Sequence, residues 1–194
     1  MTPTVAAAVD RGLWHLALLR GVNVGGGKKV PMAALRRIAA DVGFTDPMTL
    51  LNSGNLVYRA SGLAPQRAAT LLRAAIATEL QVDTAVFVRT RDELTAILAA
   101  NPLAAEAEAE PSRLLVALWD EATTPAQLAQ VADAPVVRER FVVGDHAIYL
   151  WLPDGVSASV PYEKTARALG DHLTARNWST MQKLLALMGS TVAD

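Results

Sequence analysis

Short apolar runs alternate along this chain with stretches of helical spacing, and they do so in the same order twice. The first run, Leu13–Leu19, is apolar and ends in a glycine-rich loop, the pattern of a buried strand. Pro31 then suits the start of a helix, where its missing N–H costs nothing, and Leu35, Ile38, Ala39 and Val42 recur at helical spacing before Gly43. "MTLL" and "NLVYRA" flank "NSG" as two strands and a tight turn. A second helix follows Pro65 with Leu71, Leu72, Ala75, Ile76 and Leu80 on its apolar side, and "TAVFVRT" (84–90) is a fourth strand.

After an extra helix at Asp92–Ala100 and a low-complexity acidic stretch, "AAEAEAEP", which reads as a linker or a frayed helix end, the order returns. "RLLVALW" reads as a strand, Pro125–Val131 as the start of a helix, and "RERFVV" with "AIYLWLP" as a hairpin about Gly144–Asp145. Glu163–Leu169 is a helix ended by Gly170, "HLTARN" a short strand, and Thr180–Met188 a last amphipathic helix. Two passes of β-α-β-β-α-β predict an α+β protein of two ferredoxin-like units in tandem, each followed by extra helices, with helices on one face of each antiparallel sheet. The implied organisation is a tail over 1–12, a first unit over 13–103, an acidic linker over 104–111, and a second unit over 112–194 that includes the C-terminal helix. Pattern alone leaves open whether the two sheets are separate or continuous.

Composition narrows the function classes. Of 194 residues, 52% are apolar and 19% charged, enough to bury a core rather than remain disordered. The net charge of -1 gives no global pull towards nucleic acid or an anionic membrane, so any basic character is local. There is no cysteine, which excludes disulfides and thiolate chemistry and fits a reducing cytoplasm. "MTPTVAAAVDRG" has no basic n-region and no long apolar core, and no run is long enough to span a membrane. His15, His146 and His172 are scattered without metal-ligand spacing, so no metal site is expected.

The stretch most unlike a connector is "LLRGVNVGGGKKV" (18–30). Lysine occurs only four times in the chain, and two of those are Lys28 and Lys29. With strand order 4-1-3-2, the end of the first strand and the "LNSGN" turn emerge at one sheet edge. Glycine amides, the N-terminus of the helix after Pro31, and cationic side chains there suit a phosphate or carboxylate. The candidate ligand-binding residues are Arg20, Asn23, Gly25, Gly26, Gly27, Lys28, Lys29, Asn52, Ser53 and Asn55. The loop is not a Walker A motif, since Val22 stands at its first glycine and Lys29 at its Ser/Thr, and the dinucleotide fingerprint fails at Val30. Secondary candidates are Arg176 as an oxyanion clamp, Asn177, and Trp178 as a stacking surface, against the structural reading in which Trp178 fills a helix–sheet seam and Ser179 or Thr180 caps the last helix. Arg89 is expected to pair with Asp92 or Glu93. Ser53 lacks a nucleophile-elbow context, and the strands lack the interleaved aromatics of an RNA platform, offering only Tyr58 in one half and Tyr149 with Trp151 in the other.

"LLRGVNVGGGKKVPMAALR", "LNSGNLVY", "VFVRT" and "ARNWSTMQKLLAL" together resemble the bacterial family named domain of unknown function 1697, over about residues 14 to 188. The resemblance implies a small cytoplasmic α+β protein and no established activity or cofactor. It marks Arg20, Gly21, Asn23, Gly25, Gly26, Lys29, Pro31, Ser53, Gly54, Asn55, Arg89, Arg176, Asn177 and Trp178. Two departures stand out: Asn52 where the family often has glutamine, and "SASVPYEK" (157–164) where it commonly reads serine-lysine-leucine. The expected function is a binding module for a phosphate-bearing small molecule or nucleotide. The alternatives are a nucleic-acid contact through the same loop, or a protein-interaction domain with no small ligand.

Overall fold

The computed structural model describes residues 12–25, 27–132 and 138–189. Two separate four-stranded antiparallel sheets carry the chain. The first contains β1 (Leu13–Leu19), β2 (Thr45–Leu50), β3 (Asn55–Ala60) and β4 (Val86–Thr90) in the order β2-β3-β1-β4. The second contains β5 (Leu114–Trp119), β6 (Arg140–Val143), β7 (Ile148–Trp151) and β8 (Leu173–Asn177) in the order β6-β7-β5-β8. Among the described residues there are seven α-helices: α1 (Met32–Asp41), α2 (Pro65–Leu80), α3 (Arg91–Ala99), α4 (Ala104–Ala109), α5 (Pro125–Ala132), α6 (Val160–Leu169) and α7 (Trp178–Gly189).

Period-two alternation in β1 decides how the layers stack. Ala17 and Leu19 join Leu56, Tyr58 and Val88 against Leu35 and Ile38 of α1 and Leu72 and Ile76 of α2. Trp14, Leu16 and Leu18 face the other way, into a core shared with Leu94 and Ile97 of α3, Met181 and Leu184 of α7, and Leu114, Val116, Leu118 and Tyr149 of the second sheet. The outer face of that sheet, Leu115, Ala117, Ile148 and Leu150, is covered by Val131 of α5 and Leu169 of α6. Each sheet is therefore covered on both faces, not on one as the repeated pattern suggested, because α3 and α7 are packed into the middle. The buried Tyr149 hydroxyl donates to the Ile97 carbonyl at 2.6 Å and ties the second sheet to α3.

Several boundaries move for local reasons. α3 starts at Arg91, one residue before Asp92, because Thr90 caps it: its hydroxyl accepts from the Glu93 amide, and the Glu93 carboxylate accepts from the Thr90 amide. α7 starts at Trp178 rather than Thr180, because the Asn177 side-chain oxygen accepts from the Thr180 amide at 2.9 Å; the cap is Asn177, not Ser179 or Thr180. The acidic stretch is not a bare linker: over Ala104–Ala109 it is a helix that buries Ala107 beside Leu103 and pairs Glu106 with Arg140 at 2.5 Å. "SASVPYEK" runs from a short 3-10 turn through the cap Ser159 into the start of α6, with Lys164 exposed. No helix among the described residues is long and apolar enough to cross a membrane.

Candidate functional site

The end of β1 and the β2–β3 turn lie side by side: the Leu19 amide donates to the Gly54 carbonyl at 2.9 Å. Only glycine fits at 54, where φ is +72° and a Cβ would come within 2.6 Å of the Leu19 Cβ. Asn23, itself at φ 58°, braces the glycine loop against this turn. Its amide nitrogen donates to the carbonyls of Val30 at 2.8 Å and Asn52 at 2.7 Å, and its oxygen accepts from the Val30 amide at 2.9 Å. The loop also closes on itself, the Asn23 amide bonding the Lys28 carbonyl and the Gly27 amide the Val24 carbonyl.

Between loop and turn lies a cleft of about 450 Å³, lined by Asn23, Gly27, Lys29, Val30, Pro31, Met32 and Asn52. α1 begins at its edge with no side chain capping its first amides. Lys28, Lys29, Gly25, Asn52 and Ser53 are exposed around it. Lys28 lies close enough to Asp83 to help Arg73, whose guanidinium bonds that carboxylate at 2.7 Å and 3.0 Å, hold the Asp83 carboxyl below its usual range. Gly26 lies outside the described residues.

Three of the expected ligand contacts are committed elsewhere. Arg20 points towards the second half of the chain, donating to the Leu173 carbonyl at 2.9 Å and to Asp171 at 2.6 Å. Asn23 has spent both amide donors on the protein. Asn55 is buried; it donates to the Leu50 carbonyl at 2.9 Å and accepts from Arg176 at 2.5 Å. Asn23 and Asn55 brace the loop and the turn that bound the cleft, while Lys28, Lys29, Asn52 and Ser53 are the side chains left facing outward.

Arg176 is no oxyanion clamp. Its Nε donates to Asn55, one terminal nitrogen to the carbonyls of Leu19 and Ser53 at 2.8 Å and 2.7 Å, and the other to Thr174 and the Ala175 carbonyl. All five guanidinium N–H groups are used within the protein. Burial pushes its pKa down to about 10. Trp178 is 9% exposed in the central core, so it packs rather than stacks on a ligand.

Arg89 departs from expectation in the other direction. Glu93 is occupied in the helix cap, and Arg89 bonds instead to the carbonyls of Val88 at 2.8 Å and Trp119 at 2.6 Å. It lines a cavity of about 530 Å³ between α2, α3 and the end of β5. Sequence reasoning missed this cavity, since its walls come from segments up to about 80 residues apart and no motif joins them. Among the described residues no group of three or more His, Asp or Glu side chains is placed to hold a metal ion.

The sequence pattern of the family described as "Protein of unknown function (DUF1697)" matches residues 14–149. The chain belongs to the DUF1697 family. The match runs from β1 to β7, so the DUF1697 pattern includes the glycine loop, the β2–β3 turn and Arg89, and stops before Arg176. Among solved structures this DUF1697 chain is similar to the conserved bacterial protein SP0830 from Streptococcus pneumoniae: 23% identity, TM-score 0.71, covering 91% of this chain and 98% of that one. That likeness is one of fold. No functionally curated protein is significantly similar to the chain.

Proposed function

We propose that this DUF1697 protein is a cytoplasmic binding module for a phosphate-bearing small molecule or nucleotide, held in the cleft between the glycine loop and the β2–β3 turn, and that its two four-stranded halves are ferredoxin-like units in tandem. The reading is carried by one observation: Asn23 fastens the two segments together and leaves Lys29, Asn52 and the uncapped start of α1 around one open cleft. Lysine ammonium and helix-end amides both favour an oxyanion. The repeated strand order supports the reading of the halves.

Thermal unfolding with a panel of nucleotides and sugar phosphates tests the ligand class. A true ligand at a hundredfold excess over its Kd stabilises the fold by about 2.7 kcal/mol. Lys28→Ala and Lys29→Ala are expected to remove that stabilisation without altering the unliganded midpoint, both side chains being exposed. A chain that ignores every phosphate compound, with both variants silent, defeats the proposal. Retardation of nucleic-acid probes that falls steeply with salt would favour the alternative, a nucleic-acid contact through the same loop.

A further inference from the structure

The two halves are pinned together by a pair of reciprocal arginines. Arg176, at the end of β8, donates to the carbonyl of Leu19, the last residue of β1, and to the carbonyl of its own neighbour Ala175. Arg89, at the end of β4, donates to the carbonyl of Trp119, the last residue of β5, and to the carbonyl of its own neighbour Val88. The surroundings then diverge. In the first half Leu18 faces Asn55, whose side-chain oxygen takes the Arg176 Nε–H. Continuing the β5–β7 register one step past Ala117–Ile148 puts Ala147 in the corresponding place, and Ala147 has no side-chain acceptor. Arg176 has all its donors satisfied. Arg89 donates two hydrogen bonds, and three of its N–H groups have no acceptor among the described residues.

We propose that the cavity beside Arg89 is a second binding site, distinct from the glycine-loop cleft, for a small amine-bearing acyl compound with an apolar side chain. The acyl oxygen supplies to Arg89 the acceptor that Asn55 supplies to Arg176. Val86, Ala69, Ile97 and Trp119 give the cavity an apolar wall for the hydrocarbon. Glu93, Asp120, Glu121 and Asp145 surround the same space. Three of them already have protein partners, Thr90 for Glu93, His172 and the Ala122 amide for Asp120, and Gln66 for Glu121, and every carboxylate keeps spare lone pairs for an ammonium group. Four carboxylates around one guanidinium disfavour a simple anion, which separates this site from the phosphate chemistry of the glycine loop. They are not grouped to share a metal ion, so the cation that fits is an organic amine.

The test is calorimetric titration of the full chain with leucinamide and with its two halves: 4-methylpentanamide, which lacks the amine, and 3-methylbutylamine, which lacks the acyl group. Leucinamide is expected to bind at least roughly tenfold tighter than either. Ala147→Asn, which gives Arg89 the acceptor its counterpart has, is expected to abolish binding. Ala96→Trp, on an exposed position of α3 that lines the cavity, does the same by filling it and leaves folding intact. The Trp variant decides the matter if the buried Asn variant folds poorly. Equal affinity for the three compounds, no binding of leucinamide, or undiminished binding to Ala96→Trp each overturns the proposal.

Discussion

Tyr58 shows how much of this core is apolar packing rather than polar specification. Its ring stacks on Phe44 at 4.2 Å and on His15 at 5.5 Å, fully buried, and its hydroxyl has no hydrogen-bond partner. A buried unsatisfied hydroxyl costs about 1–3 kcal/mol, so Tyr58→Phe is expected to stabilise the protein by about 1 kcal/mol, read as a higher urea midpoint at unchanged m. The same residue sets an alkaline limit. Burial raises its phenol pKa in the folded chain. A raised folded pKa contributes stability that is complete below the unfolded value of about 10 and is lost as pH climbs above it, because only the unfolded chain then gives up the proton. The loss of stability above pH 10 is expected to be shallower in Tyr58→Phe; an unchanged slope would place the effect on other groups.

The elements begin where side chains satisfy backbone amides, and the two central helices do so differently. α3 has a full capping box from Thr90 and Glu93, whereas α7 relies on Asn177. Thr90→Ala and Asn177→Ala are each expected to cost about 1 kcal/mol in chemical unfolding, Thr90→Ala through loss of the hydroxyl that accepts from the Glu93 amide. Neither change touches the glycine-loop cleft, so phosphate-dependent stabilisation should persist in both. The side-chain oxygen of Asn177 serves the architecture of α7.

At the scale of the molecule, the central core belongs to neither half. Leu16 and Leu18 meet Leu114, Val116 and Leu118 around α3 and α7, and the arginines cross between the halves in both directions. Each large side chain in that layer is worth about 1.5–3 kcal/mol when buried, and a chain cut in the acidic stretch would expose all of them at once. A fragment of residues 12–103 is expected to lack cooperative unfolding and to self-associate, measured by circular dichroism and size-exclusion chromatography. A monomeric, cooperatively folded fragment would mean that the central layer is dispensable.

Local pattern accounts for much of this protein. β1 has the bounds that its apolar run dictates, and the glycine loop meets the serine-glycine turn because both terminate neighbouring strands of one antiparallel sheet. Periodicity and turn chemistry act over a few residues, so the order of elements and the place of the cleft were legible without coordinates. Side-chain commitments were not. Arg20, Asn55 and Arg176 resemble ligand contacts in a linear reading, yet each is spent on a carbonyl, carboxylate or amide brought from another part of the chain. Arg89, set aside as a local ion pair, instead lines a cavity and keeps donors to offer there. A hydrogen-bond donor's availability depends on which acceptors the folded chain brings within about 3 Å, and that is decided only when both sheets close on the same core.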